Sequence, residues 1–312
     1  MRLLFAGTPA TALPSLAALR AAGHEIVAVA TNPDAPGRHG HNLLPSPVAA
    51  AAADLGLPLL QPRRAREDWF AQAVAELQPD TAVIVAWGCL IPDALLAVPK
   101  HGWVNLHFSL LPSWRGAAPV QRAIMAGERT SGVTTFRLVH ELDAGPFWRQ
   151  ESSVIGQDET AGEMLNRLAE SGAQTLVRTL DDITAGVAPR LQPADGISLA
   201  PKVSTDDARV DWRQPAAVIH NLVRGVTPAP GAWTTLQGAR LKLGRTALVT
   251  DPVITQNVIL APGELLATKQ ALLIGTGEGL LELVSVQAAG KPPLFGAAWA
   301  RGARLAAGAR CE

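Results

Sequence analysis

Over the first 185 residues the chain switches repeatedly between short runs suited to a buried strand and longer runs with helical spacing. That alternation limits the fold more than any other feature. Residues 2–6 are an apolar run closed by Gly7-Thr8-Pro9, and residues 13–22 carry apolar side chains at helical spacing and stop at Gly23. Residues 25–30, Glu-Ile-Val-Ala-Val-Ala, form a second buried strand. A strand, a helix and a strand in that order imply parallel strands joined by a right-handed crossover. The pattern continues with helices over 47–55 and 67–77, a short strand near 58–60, a β-branched strand over 81–86, a strand over 102–107 and a helix over 118–125. Strands near 132–139 and 147–154 flank a turn at 142–145, and a long helix covers 160–185. The spacing predicts an α/β protein whose N-terminal domain, residues 1–189, is a Rossmann-like, doubly wound sheet.

Past Gly186 the period is lost. The Pro-, Ala- and Gly-containing stretch that follows reads as a linker, residues 190–205. Beyond it the spacing predicts one helix at 215–224, then short β-like runs at 232–236, 239–248, 263–268, 270–275 and 280–287, separated by Gly-containing turns. Several short strands with regular turn signals predict a small OB-fold-like β-barrel over 206–312.

Length and composition fit this division. A chain of 312 residues, 48% hydrophobic and 17% charged, has enough apolar material for two buried cores. The formal net charge is zero, which gives no sign of a nucleic-acid partner from the total. Residues 1–199 hold 15 Lys and Arg against 19 Asp and Glu, whereas residues 200–312 hold 12 against 8, so the C-terminal part is the basic one. Two cysteines, Cys89 and Cys311, stand far apart with no Cys or His cluster near them, so neither a disulfide framework nor a metal site is expected. Cys89 reads as a small buried apolar residue rather than a nucleophile. No apolar run is long enough for a membrane span, and the N-terminal run is too short for a signal peptide, which makes a cytoplasmic location the expectation. Gly7-Thr8-Pro9 follows the first strand but lacks the Gly-x-Gly-x-x-Gly spacing that cradles a pyrophosphate.

The chemistry concentrates in one stretch, Asn105-Leu-His107-Phe-Ser109-Leu110-Leu111-Pro112-Ser-Trp-Arg115-Gly116-Ala-Ala-Pro119-Val-Gln121. Asn105 and His107 are two apart, so an extended chain points both to one face. An amide and an imidazole side by side form a donor pair suited to the oxygen of a tetrahedral intermediate in acyl transfer. The turn after them places both groups at a strand end beside a cleft.

This stretch resembles the signature of the folate-dependent formyltransferases. Its form Ser-Leu-Leu-Pro-x-Trp-Arg-Gly-Ala-Ala-Pro-x-Gln is similar to the branch of that family that acts on methionyl-tRNA. Similarity to that branch extends over nearly the whole chain, through Phe5-Ala-Gly-Thr-Pro9, Leu44-Pro-Ser46-Pro-Val48, Ala208-Arg-Val-Asp211-Trp212, Thr227-Pro-Ala-Pro-Gly231 and Gly290-Lys291-Pro292. The resemblance implies transfer of the formyl group of 10-formyltetrahydrofolate, a co-substrate, to a primary amine, without a metal. It implies that Asn105 and His107 bind the oxyanion and that Asp143, in Glu141-Leu-Asp143-Ala-Gly145, is the carboxylate across the site. A carboxylate near an imidazole raises its pKa, orients it and can help shuttle the amine proton. The sequence leaves open which of His107 and Asp143 is the formal base. Ser109, Leu110, Leu111 and Pro112 match the folate-contacting turn, and Trp87 and Gly88 match the pterin-pocket loop, with Trp87 standing where a tyrosine-type aromatic is usual. Arg115 either holds the turn or meets an anionic group of a ligand.

The acceptor implied by the resemblance is aminoacylated initiator tRNA, bound by a monomer. The loop over 33–47 matches a basic tRNA-contacting loop, but has one arginine where two are usual and His41-Asn42 in place of two lysines. Arg38 and His39 are its candidate tRNA contacts. Arg240, Lys242 and Arg245 alternate on a strand-like run and are candidates for a basic face on the barrel. A formyltransferase acting on an amino-sugar nucleotide is the alternative, and a non-enzymatic RNA-binding protein a second. An oxyanion site has no use in a pure binder.

Overall fold

The computed structural model describes residues 1–36 and 43–312. By their internal contacts these divide into two compact units, one of residues 1–119, 131–154 and 165–200, the other of residues 120–130, 155–164 and 201–312.

The first unit is built on a sheet of seven strands among the described residues. In chain order they are β1 (Arg2–Gly7), β2 (Glu25–Ala30), β3 (Leu59–Leu60), β4 (Thr81–Val85), β5 (Trp103–His107), β6 (Thr130–Arg137) and β7 (Phe147–Val154). Their spatial order is β3-β2-β1-β4-β5-β6-β7. The first five run parallel, and β6 then pairs antiparallel with β5, Asn105 opposite Phe136 and His107 opposite Thr134. The strand order reverses between β1 and β4, the place where a doubly wound sheet opens a crevice beyond its carboxyl ends. All five residues of β4 are buried, as a central parallel strand covered on both faces requires. One side of the sheet packs Leu4, Ala28, Ala82 and Ile84 against Phe70 and Val74 of the helix Asp68–Leu77.

Local chemistry explains the helix starts. Ser46 caps the helix Pro47–Asp54 by accepting from the Ala49 N–H at 3.0 Å, with Pro47 at the first helical position. Thr160 and Glu163 form a reciprocal capping box at the start of the helix Ala161–Thr184. The strand expected at 132–139 begins two residues earlier and ends at Arg137. Leu138 still donates its N–H to Trp103 O at 2.8 Å, and the residues after it leave the sheet to form the loop that carries Asp143.

The second unit is antiparallel. Its strands are β8 (Ala232–Leu236), β9 (Ala239–Leu248), β10 (Leu265–Ala267), β11 (Leu272–Gly275), β12 (Leu280–Ala288) and β13 (Leu294–Phe295), in the order β8-β9-β12-β11-β10, with β13 on β12. The chain's last residues join the two edges. Thr235 and Glu312 exchange both backbone hydrogen bonds, the Cys311 N–H donates to Gly263 O at 2.8 Å, and the Leu265 N–H donates to Ala309 O at 2.9 Å. This closes the sheet into the expected barrel and removes its open edges. The helix Ala216–Gly225 lays Ile219 and Val223 on a core shared with Leu241, Leu243, Leu281 and Leu283.

Besides the short helix Asp93–Leu96 of the first unit, two helices of the second unit were not foreseen from the sequence. Pro252–Asn257 lies in a stretch that the spacing leaves unassigned, since its β-branched Val253, Ile254 and Thr255 are weak helix formers, yet Asp251 caps it by accepting from the Val253 N–H at 2.8 Å. Gly296–Ala303 has good helix formers in its four alanines and Arg301, but glycines near both ends hide its bounds in the sequence. It packs against β12 and β13.

Candidate active site

Alternation along β5 decides the first half of the site. Asn105 and His107 lie two residues apart at the carboxyl end of a parallel strand, so both side chains point to one face. The second half comes from the loop after β6, where Asp143 takes up a left-handed backbone with φ of 48°. A single cavity of about 440 Å³ in the first unit is lined by Asn105, His107 and Asp143 together. The sequence brought these three residues together by resemblance, and the fold brings them together in space.

His107 and Asp143 are only 6% and 8% exposed. The His107 Nε2 lies 2.9 Å from the Trp114 carbonyl oxygen, which can only accept, so Nε2 carries the hydrogen. The other ring nitrogen, Nδ1, is left facing Asp143 Oδ2 at 3.8 Å. Burial lowers the His107 pKa below its ordinary value, against the opposing pull of the Asp143 charge and the Trp114 hydrogen bond. A neutral His107 therefore has no free N–H to offer an oxyanion. It presents a lone pair at Nδ1, and becomes a donor there on taking a proton. Asp143 Oδ2 accepts the Gly116 N–H at 2.8 Å, which leaves the carboxylate fixed. Gly116 has φ of 126°, and a side chain there would press a Cβ to 2.7 Å from Ala200 O. Only glycine permits that turn.

The rest of the cavity suits a flat, largely apolar group. Trp87, Gly88, Cys89, Leu90 and Ile91 line one part of it, with Leu96, Leu138 and Val139. Trp87 is buried against Phe70 with ring centroids 5.7 Å apart, and its indole N–H, shut off from solvent, has no partner among the described residues. Burial raises the Cys89 thiol pKa, consistent with an inert side chain.

The turn Ser109, Leu110, Leu111 and Pro112 is not among the residues lining this cavity. Its polar groups are turned inward: Ser109 Oγ donates to Ser113 O at 2.6 Å, and Thr134 Oγ1 donates to Ser109 O at 2.6 Å. Gln150 Nε2 donates to Leu111 O at 2.6 Å. The turn braces the loop that follows β5. Arg115, left between two uses by the sequence, is buried and donates from Nη2 to Gln192 Oε1 at 2.7 Å. Its role in the structure is to hold the turn.

Gln192 was missed from the sequence altogether, because it lies in the stretch read as a linker. Residues 190–200 instead cross the site as a strap. Arg190 exchanges two backbone hydrogen bonds with Phe147, each 2.8 Å, and Arg115 is bonded to Ser198 and Ala200. The isolated Gln in a Pro-Ala-Gly context carries no periodic signal that would have found it.

Of the candidate tRNA contacts, Arg38 and His39 lie outside the described residues. Arg240 and Lys242 are exposed on β9, and a bulge at Gly244 keeps Arg245 exposed despite its odd spacing. Arg240 lies over the Trp233 ring at 4.2 Å, with Arg209 over the same ring at 5.5 Å. Arg245 is ion-paired with Glu163. Among the described residues no helix is long and apolar enough to cross a membrane, and no group of His, Cys, Asp and Glu is placed to hold a metal ion.

A doubly wound domain with a half-buried amide and a buried imidazole and carboxylate around one cavity defines a site for acyl-group transfer. Residues 1–180 match the formyl transferase family and residues 202–304 match its C-terminal domain. The chain belongs to the formyl transferase family. It is 51% identical to the methionyl-tRNA formyltransferase of Acidothermus cellulolyticus, over all of both chains. Among solved structures it is similar to HypX from Aquifex aeolicus in complex with tetrahydrofolic acid, with a TM-score of 0.68 and 21% identity, covering 96% of this chain and 47% of that one. It is also similar to an N-formyltransferase from Helicobacter canadensis in complex with folinic acid and dTDP-3-aminofucose, with a TM-score of 0.64 and 15% identity, covering 90% of this chain and 98% of that one.

Proposed function

We propose that the protein transfers the formyl group of 10-formyltetrahydrofolate to the amino group of methionyl-initiator tRNA, giving N-formylmethionyl-tRNA for translation initiation. The observation that carries the chemistry is the meeting of Asn105, His107 and Asp143 around one cavity. The choice of acceptor is supported by likeness over the whole length to a methionyl-tRNA formyltransferase.

The folate supplies an activated formyl carbon and a nitrogen leaving group. The amine of the acceptor forms a new bond to that carbon, the bond from carbon to the folate nitrogen breaks, and one proton moves from the amine to the departing nitrogen. Asn105 donates its amide N–H to the formyl oxygen as negative charge gathers there. His107, neutral because it is buried, accepts the amine proton at Nδ1, and its imidazolium is then stabilised by Asp143 at 3.8 Å. Held at Nδ1, that proton is available to the leaving nitrogen. Asp143 keeps the ring's charged form accessible and fixes its orientation. The wall formed by Trp87, Gly88 and the apolar residues near them holds the flat ring system and excludes water.

On the second unit, Arg240 and Lys242 supply positive charge for tRNA phosphates, with Arg38 and His39 as further candidates. Arg245 spends its charge on Glu163 and contributes less. This reading makes the protein a cytoplasmic, monomeric enzyme. The test is an acceptor panel with donor in excess, comprising methionyl-tRNA, glycinamide ribonucleotide and an amino-sugar nucleotide. Formylation of methionyl-tRNA alone is expected. Formylation of the sugar nucleotide in its place would overturn the acceptor assignment.

A further inference from the structure

We propose that Gln192, held by Arg115, is a positioning residue for Asp143, and that the strap of residues 190–200 fixes the carboxylate in its working place. The proposal rests on the role given to Asp143 above. Among the described residues, the side-chain hydrogen bonds of Gln192 go to the loop that carries this carboxylate and to the arginine behind it. Its Nε2 donates one hydrogen to Asp143 O at 2.7 Å and the other to Gly145 O at 2.8 Å. Its Oε1 accepts from Arg115 Nη2 at 2.7 Å. Both hydrogens and the oxygen of the amide are engaged, so the amide has one orientation and cannot flip without opposing oxygen to oxygen.

The loop needs such a clamp. Asp143 holds a positive φ that a residue with a side chain rarely adopts, and no regular ladder fixes its carbonyl. At Gly145 a Cβ would lie 1.7 Å from Arg137 O, so the chain is already pressed against β6 there. Gln192 in turn is anchored from both sides. Two residues before it, Arg190 is bonded twice to Phe147, with its guanidinium 5.0 Å over the Phe147 ring. Beyond it, the Trp114 N–H donates to Ser198 Oγ at 2.8 Å and the Ala200 N–H donates to Arg115 O at 2.7 Å. Trp114 is the residue whose carbonyl accepts from His107. One strap therefore holds the backbone on both sides of the imidazole and carboxylate pair.

A double-mutant cycle separates this role from general support of the fold. Steady-state formyl transfer is measured for the full-length wild type, Gln192→Leu, Asp143→Asn and the double variant, with KM for donor and acceptor. Gln192→Leu is expected to lower kcat about tenfold with both KM values within about twofold, and to add less than about twofold in the Asp143→Asn background, because coupled residues are not additive. Independent, multiplying losses, an unchanged kcat in Gln192→Leu, or a loss confined to KM would overturn the proposal. Near wild-type turnover in Asp143→Asn would instead remove the role of Asp143 on which it stands. If Gln192→Leu is not recovered folded, Gln192→Glu carries the same cycle, since it keeps the shape and the Arg115 contact but replaces the two donors with an oxygen.

Discussion

The cavity of the α/β unit and the basic face of the barrel unit use polar side chains in opposite ways. His107 and Asp143 in the cavity, and Arg115 and Ser109 behind its wall, are buried and each has a defined partner. On the barrel, Arg240 and Lys242 stand exposed on a strand whose alternate residues, Leu241 and Leu243, fill the core. Reaction needs donors placed to within fractions of an ångström, which burial and fixed hydrogen bonds provide. Holding a polyanion needs only charge within reach, and water between partners costs little. A change in the cavity should therefore cost rate, and a change on the barrel face should cost affinity.

That contrast breaks most directly at Asp143. Asp143→Asn keeps the shape and the Gly116 hydrogen bond but removes the charge facing Nδ1. It should lower kcat by about 10²–10⁴-fold with the fold intact by circular dichroism. The same variant sharpens the assignment of the base. Wild-type kcat should fall with acid as His107 takes up a proton, below its ordinary pKa of about 6.5, since burial lowers it. Loss of the Asp143 charge removes a raising influence, so this limb should move to still lower pH. A limb that stays in place would take His107 or its partner out of the proton path.

Asn105→Ala comes next, with an expected loss of about 10²–10³-fold in kcat, the usual result of removing one oxyanion donor. Unchanged kcat with a raised KM would make Asn105 a binding group. On the barrel, Arg240→Ala combined with Lys242→Ala should raise KM for tRNA several-fold while kcat holds. It should also flatten the salt dependence by roughly one phosphate contact per cation. A fall in kcat from that pair would abolish the division drawn here. Stability should respond to pH more gently. His107 and His220 are both buried with lowered pKa values, so the unfolded chain binds more protons than the folded one as pH falls below about 6.5. Thermal stability should hold above that pH and decline through the window below it. The smallest effect is expected at Cys89. Cys89→Ala should leave kcat within about twofold, and a large loss would give the thiol a part it lacks in this account.

Much of the fold was legible because its signals are local. β1, β2, β4 and β5 are short β-branched or apolar runs bounded by Gly and Pro, and the helix Ala161–Thr184 begins with a Thr and a Glu at capping-box spacing. The site was legible where its groups share one strand, as Asn105 and His107 do. It was less so where loops cross. Asp143 alone looks like any aspartate before Ala-Gly, and Gln192 like any glutamine in a connection. Nor does Ser109-Leu-Leu-Pro112 show from its residues that its polar groups turn away from the cavity.

The sequence by itself determined the alternation of strands and helices, the change to an antiparallel unit past Gly186, and the face shared by Asn105 and His107. Each of these follows from periodicity, turn residues and spacing, which act over a few positions. Only the tertiary structure decided that Nε2 of His107 is committed to Trp114, that Nδ1 faces Asp143, and that Arg115 and Gln192 clamp the loop between them. Those arrangements join residues as much as 77 apart in the chain, as Arg115 and Gln192 are. Hydrogen-bond partners at such separations are chosen by packing and by the cost of leaving buried polar groups unpaired, and neither can be read until the chain has closed on itself.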